Sequence, residues 1–139
     1  MPNIIQERME AENARLELQR QAIAEANRIE MERAKERRLS SEKAKQLLLE
    51  HLTSEQRETV EKNGWFVIEG GRSKKRYRIR SSGVTGNVEE MDGERVIAKY
   101  CCHISHSYPR SDHHLTQKLM LEWDEETFLR LANKTAIGS

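Results

Sequence analysis

Across residues 3–63 the chain has no glycine, no proline and no aromatic side chain, whereas all seven glycines, all seven aromatics and Pro109 come later. Without turn formers or aromatic anchors the first segment has no means of folding back on itself, so it is read as helix, and the compositional shift near Asn63 separates two kinds of chain. Cysteine is equally scarce: Cys101 and Cys102 are the two present. A bond between sequence neighbours closes a small strained ring, which leaves two free thiols and points to a reducing compartment. No apolar run approaches the roughly 18–20 residues needed to span a bilayer. Glu7, Arg8, Glu10 and Glu12 interrupt any signal-peptide core, so cytoplasmic synthesis and no membrane partner are expected. Lys+Arg of 24 against Asp+Glu of 23 leaves a net charge of +1, so a partner drawn by charge must be recognised by a local patch. Phosphate-loop, dinucleotide, zincin and nucleophile-elbow signatures are absent from the sequence, which points away from an enzyme.

Residues 3–52 are rich in Glu, Arg, Ala, Leu and Gln, and spaced pairs such as Glu12/Arg15, Glu17/Arg20, Glu25/Arg28, Glu30/Arg33 and Glu32/Lys35 support a long helix, with a break expected near Ser40-Ser41. Met9, Leu16 and Ile23 recur every seventh residue, but Glu12, Gln19 and Ala26 hold the intervening seam positions, a poor pattern for a two-stranded coiled coil. Two readings fit. One is a solvated helix held by its own ion pairs. The other is a docking helix that lays Ile4, Ile5, Met9, Leu16, Ile23 and Ile29 into a groove of another subunit. Residues 1–40 are therefore read as a charged helical arm, and 41–139 as a small globular domain.

In that domain Ala44, Leu47, Leu48 and Leu52 form a face wide enough to pack on a core. Thr53 and Gln56 make a capping box that opens a helix over about 54–62, and Asn63-Gly64 closes it. Trp65–Ile68 is strand-like, Tyr77 and Ile79 alternate with Arg76, Arg78 and Arg80, and Asp92-Gly93 marks a hairpin turn between 86–91 and 94–102. Asp112 is suited to cap a helix carrying Leu115, Leu119, Met120 and Trp123, and Asp124 a last one carrying Phe128, Leu129 and Ala132. The expected fold is α+β: a long N-terminal helix, then a small antiparallel sheet packed with C-terminal helices.

Two stretches invite chemistry. Residues 100–114 gather both cysteines and four of the five histidines. Cys102 and His106 with His113 offer a conceivable zinc site, but the spacing matches no standard knuckle, and neighbouring cysteines on a strand point to opposite faces. The plainer reading buries one cysteine as a small hydrophobe and leaves the histidines in a polar loop, with no cofactor. A thiol enzyme centred on Cys102 lacks an identifiable orienting group. Residues Arg72–Arg80 pack six cations into nine positions, with Arg76, Arg78 and Arg80 on one strand face. One aromatic among them is too little for a stacking platform, and Glu89, Glu90, Asp92 and Glu94 stand in the next hairpin. Cross-strand pairing on a solvated face is thus favoured over nucleic acid.

Leu-Thr-Ser-Glu-Gln-Arg, Asn-Gly-Trp-Phe, Lys-Arg-Tyr-Arg-Ile, Gly-Asn-Val, Cys-Cys-His, Gln-Lys-Leu-Met-Leu-Glu and Phe-Leu-Arg-Leu-Ala-Asn, spread over residues 47–134 behind the Glu/Arg-rich helix, resemble small uncharacterised proteins of tailed-bacteriophage-type genomes and bacterial sequence collections. That resemblance brings no activity and no catalytic residue; it implies a phage context. With the arm and the missing reaction motif, it leads to the expectation of a non-enzymatic virion accessory or assembly protein docked on other subunits through its helix. The alternatives are a zinc-stabilised nucleic-acid-binding module using Arg76, Arg78 and Arg80, and the thiol enzyme.

Overall fold

A computed structural model describes residues 3–84, 86–102 and 109–137. The chain divides into two compact units, Met1–Leu39 and Ser40–Ser139. Helix α1 runs over Ile4–Glu50, and Asn3 caps its start by accepting the Ile5 N–H at 3.0 Å. It does not break at Ser40-Ser41. Two serines cost a helix only a few tenths of a kcal/mol each, and burial of Ala44 and Leu48 in the following turns offsets that. In the first unit the expected pairs Glu12/Arg15, Glu17/Arg20 and Glu25/Arg28 are present. Glu32 is instead taken by Arg28 and Glu30 by Arg37, each long guanidinium reaching a carboxylate one or two turns away.

The second unit is α+β, as the patterning implied. Helix α2 (Ser54–Asn63) opens with the Thr53/Gln56 capping box and ends at Gly64, whose left-handed φ of 75° returns its N–H to Val60 O. Strands β1 (Trp65–Glu69), β2 (Arg76–Arg80), β3 (Val88–Asp92), β4 (Arg95–Cys101) and β5 (Asn133–Ala136) form an antiparallel sheet in the order β1-β2-β3-β4-β5. Helices α3 (Arg110–Trp123) and α4 (Glu125–Leu131) lie between β4 and β5 in sequence. Phe66, Ile68, Tyr77, Ile79, Val88, Ala98 and Tyr100 alternate onto one face of the sheet, where they form the core with Leu48, Leu115, Leu121 and Phe128 from the helices and Leu52 from the connection between α1 and α2.

Several details differ from the sequence reading. The hairpin loop is Gly93-Glu94, because Asp92 pairs with Arg95, and Gly93 adopts the positive φ of 63° that a tight turn requires. Pro109, not Asp112, holds the N-cap position of α3, and the Asp112 N–H bonds back to Pro109 O. Asp124 does stand at the N-cap of α4, without a side-chain capping bond. Leu47 is exposed while its neighbour Leu49 packs on the core. Trp123 is 83% exposed, because the inward positions of α3 are taken by His114, Gln117 and Leu121.

Candidate functional site

The non-core face of the sheet carries a network of charged side chains centred on Glu89. The antiparallel register sets Trp65 against Arg80, Val67 against Arg78, Arg78 against Glu89, and Glu89 against Lys99. Glu89 is only 2% exposed, yet its Oε1 accepts both Arg78 Nε at 2.8 Å and Arg80 Nε at 2.7 Å, and Lys99 Nζ lies 3.8 Å from Oε2. Burial alone raises a carboxyl's pKa; here the two guanidinium bonds, reinforced by their charge, outweigh it and hold Glu89 below the usual range. The Arg78 guanidinium stands 5.2 Å from the centre of the Trp65 ring, a cation–π contact. The cross-strand pairing read from the sequence is therefore present, but on a half-buried face instead of a solvated one. Long side chains from the two flanking strands, β2 and β4, wall in the carboxylate. The basic patch also changes membership: Tyr77 points into the core, while Trp65 and Lys99 join the arginines. Neither addition was legible, because each depends on register across strands.

Beside this face, α2, β1 and Arg76 of β2 line a half-open pocket of about 490 Å³ whose walls include Glu55, Thr59, Asn63, Trp65 and Glu69. Gln56 holds the two elements together: its Oε1 accepts the Thr53 N–H, and its Nε2 donates to Val67 O on the β1 edge at 2.9 Å.

The core side of the sheet holds polar groups that are paired internally. Tyr77 OH donates to Glu125 at 2.7 Å and Tyr100 OH to Glu90 at 2.9 Å; burial first, and these carboxylates second, push both phenols well above their ordinary pKa. The Asn87 and Gln117 amides exchange two hydrogen bonds, at 2.8 and 3.1 Å. His114 Nε2 donates to Gly83 O at 2.7 Å, and burial lowers its pKa.

Of the proposed zinc ligands, Cys102 is buried and its thiol is pushed up in pKa, chiefly by burial. That keeps it protonated, the reverse of an activated nucleophile. His113 is buried on α3, and its Nδ1 has no hydrogen-bond partner among the described residues. His103 and His106 lie outside those residues. Among the described residues no group of three or more His, Cys, Asp or Glu side chains is placed to hold a metal ion.

In the first unit every described residue is exposed, among them Ile5 at 69%, Met9, Leu16 at 37% and Ile23. Ile29 does not share their stripe. At about 100° per residue it lies roughly 120° around the helix from Ile23, in line with Ile4 and Leu18. Among the described residues no helix is long and apolar enough to cross a membrane. No protein-family model, curated protein or solved structure matches this chain.

Proposed function

We propose that the chain is a non-enzymatic interaction protein, an accessory or assembly subunit of a phage-type particle, that attaches through the helical arm. One observation carries this reading: from Ile4 to Leu39 the helix buries none of its apolar side chains, although Ile4, Ile5, Met9, Leu16, Leu18, Ile23 and Ile29 are all large. A helix gains most of its stability in proteins from packing an apolar face, and this one has two apolar lines. Ile5, Met9, Leu16 and Ile23 form the first; Ile4, Leu18 and Ile29 form the second. A partner that covers both must be a groove or a pair of helices, and the particle context comes from the resemblance over residues 47–134.

The test compares particles purified from cells expressing the tagged full chain, a fragment starting at Ser41, or point variants. The fragment is expected to melt cooperatively within a few degrees of the full chain and to be missing from particles. Leu16→Asp and Ile23→Asp should weaken incorporation by placing a charge in a desolvated contact, while Glu17→Gln should not. Normal incorporation of the folded fragment would overturn the reading.

A further inference from the structure

We infer that the open face of the sheet, together with the adjoining cavity between α2 and β1, is a binding site for single-stranded nucleic acid, independent of the arm. Three features of the site carry this. First, Glu89 engages Arg78 and Arg80 only through Nε, and among the described residues the Nη atoms of both guanidiniums have no hydrogen-bond partner. Two planar forks are thereby fixed by a buried carboxylate, and one also by Trp65; Arg80 at 41% and Lys99 at 48% are open to an anion, and Arg78 at 17% offers only its edge. Alternate residues of a strand stand about 6–7 Å apart, a spacing that successive phosphates of an extended strand can match. Second, Arg76, Arg78, Arg80 and Lys99 face Glu69 and Glu89 on the sheet and Glu55 on the cavity wall, four cations against three carboxylates, so the pairing leaves one cationic charge uncompensated. Third, the cavity beside the forks is of small-molecule size, with the Trp65 ring on one wall and Asn63, Thr59, Glu55 and Glu69 on the others. Those groups suit a planar base that stacks on an aromatic and donates its amino hydrogens to oxygen acceptors. Glu55 and Glu69 also select the occupant of the cavity: they repel an acidic side chain, whereas a nucleobase carries no charge and brings N–H donors. The duplex form fits less well, since its bases are stacked away from any pocket.

Binding is tested on the full chain carrying Trp123→Phe, which leaves Trp65 as the reporting fluorophore. An oligothymidylate and a mixed-sequence single strand are titrated beside a duplex of equal length and polyglutamate. The expected result is saturable quenching by the single strands, weaker binding of the duplex, and a logarithmic salt dependence of about −2, from roughly three phosphate contacts at about 0.7 each. Arg80→Gln/Lys99→Gln, which removes two half-exposed cations without adding a carboxylate beside Glu89, should weaken binding by about tenfold at low salt, read at a temperature where the variant's own melt shows it folded. No saturable binding at low salt overturns the inference. So does binding that the double variant leaves intact, and so does polyglutamate binding as tightly as the single strands, which would assign the face to an acidic protein segment.

Discussion

Replacing Glu125 with glutamine should unlatch the loop that launches β2. Four donors converge on this buried carboxylate: the Arg72 N–H at 3.1 Å and the Ser73 N–H at 2.9 Å on Oε1, and the Ser73 and Tyr77 hydroxyls on Oε2. Burial raises its pKa, but these bonds together hold it below the usual carboxylate range. Glutamine keeps the shape and one acceptor oxygen, loses the charge that strengthens the bonds, and turns an NH₂ group toward two of the donors. Hydrogen bonds to charged groups are worth about 1.5–3 kcal/mol against roughly 0.5–1.5 for neutral ones. The net cost should therefore be about 3 kcal/mol, which lowers the melting temperature of a unit this size by roughly 12–24 °C. The dependence on pH has a definite sign. Because the folded pKa is depressed, the stabilisation is fully present above the unfolded carboxyl value of about 4.3 and is lost as pH falls through the folded value. Thermal melts of wild type and Glu125→Gln should therefore differ near neutrality and converge on acidification below about pH 4. A variant that melts within about 2 °C of wild type at neutral pH, with unchanged amide exchange at Arg72 and Ser73, would refute the latch.

The same loop makes Gly71 sensitive, since a Cβ there would stand 1.8 Å from Glu122 O and the backbone would have to move. Gly71→Ala should cost at least about 2 kcal/mol in urea denaturation, while Gly83→Ala, which meets nothing within 4 Å, should stay within roughly 0.5 kcal/mol of wild type. Purified protein should carry no stoichiometric zinc, and chelation should leave its melting temperature unchanged. About one zinc per chain by elemental analysis would revive the site at Cys102, His106 and His113.

Features set by neighbours in sequence were readable before any coordinates. The Thr53/Gln56 capping box, the Asn63-Gly64 stop and the alternation of Tyr77 and Ile79 each need only a few adjacent residues, and each stands where the pattern put it. Features set by distant partners were not. Strand β5 is a fully exposed Asn-Lys-Thr-Ala segment whose side chains show no alternation, and it exists because its backbone completes the ladder on β4. Trp123 looked like a core residue by size, but the inward face of α3 is fixed by what it meets: Gln117 finds Asn87, and His114 finds Gly83 O. Glu89 looked solvent-facing by charge, and its burial follows from the arginines and lysine that close over it. The stripe read from the sequence takes Ile4, Ile5, Met9, Leu16, Ile23 and Ile29 together, and the helical period moves Ile4 and Ile29 to another side.

A census of polar groups separates the two sides of the sheet. On the core side donors meet acceptors within the fold: Tyr77 and Tyr100 on their glutamates, Asn87 on Gln117, His114 on Gly83. These bonds fix how α3 and α4 sit on the strands, since an unpaired buried polar group costs more than a formed bond returns. The opposite side balances differently. Its one buried carboxylate is oversupplied, with two guanidinium bonds through Nε and a lysine at 3.8 Å, and among the described residues the Nη groups have no partner. Were Glu89 there only to neutralise Arg78 and Arg80, Glu89→Gln, which keeps one acceptor oxygen but loses the charge that holds both forks to it, would change stability alone. If Glu89 also aims those forks at phosphate, Glu89→Gln should raise the net positive charge of the face and still weaken single-strand binding. Simple electrostatic attraction predicts the opposite sign, so tighter binding by this variant would reduce the face to a diffuse cationic surface.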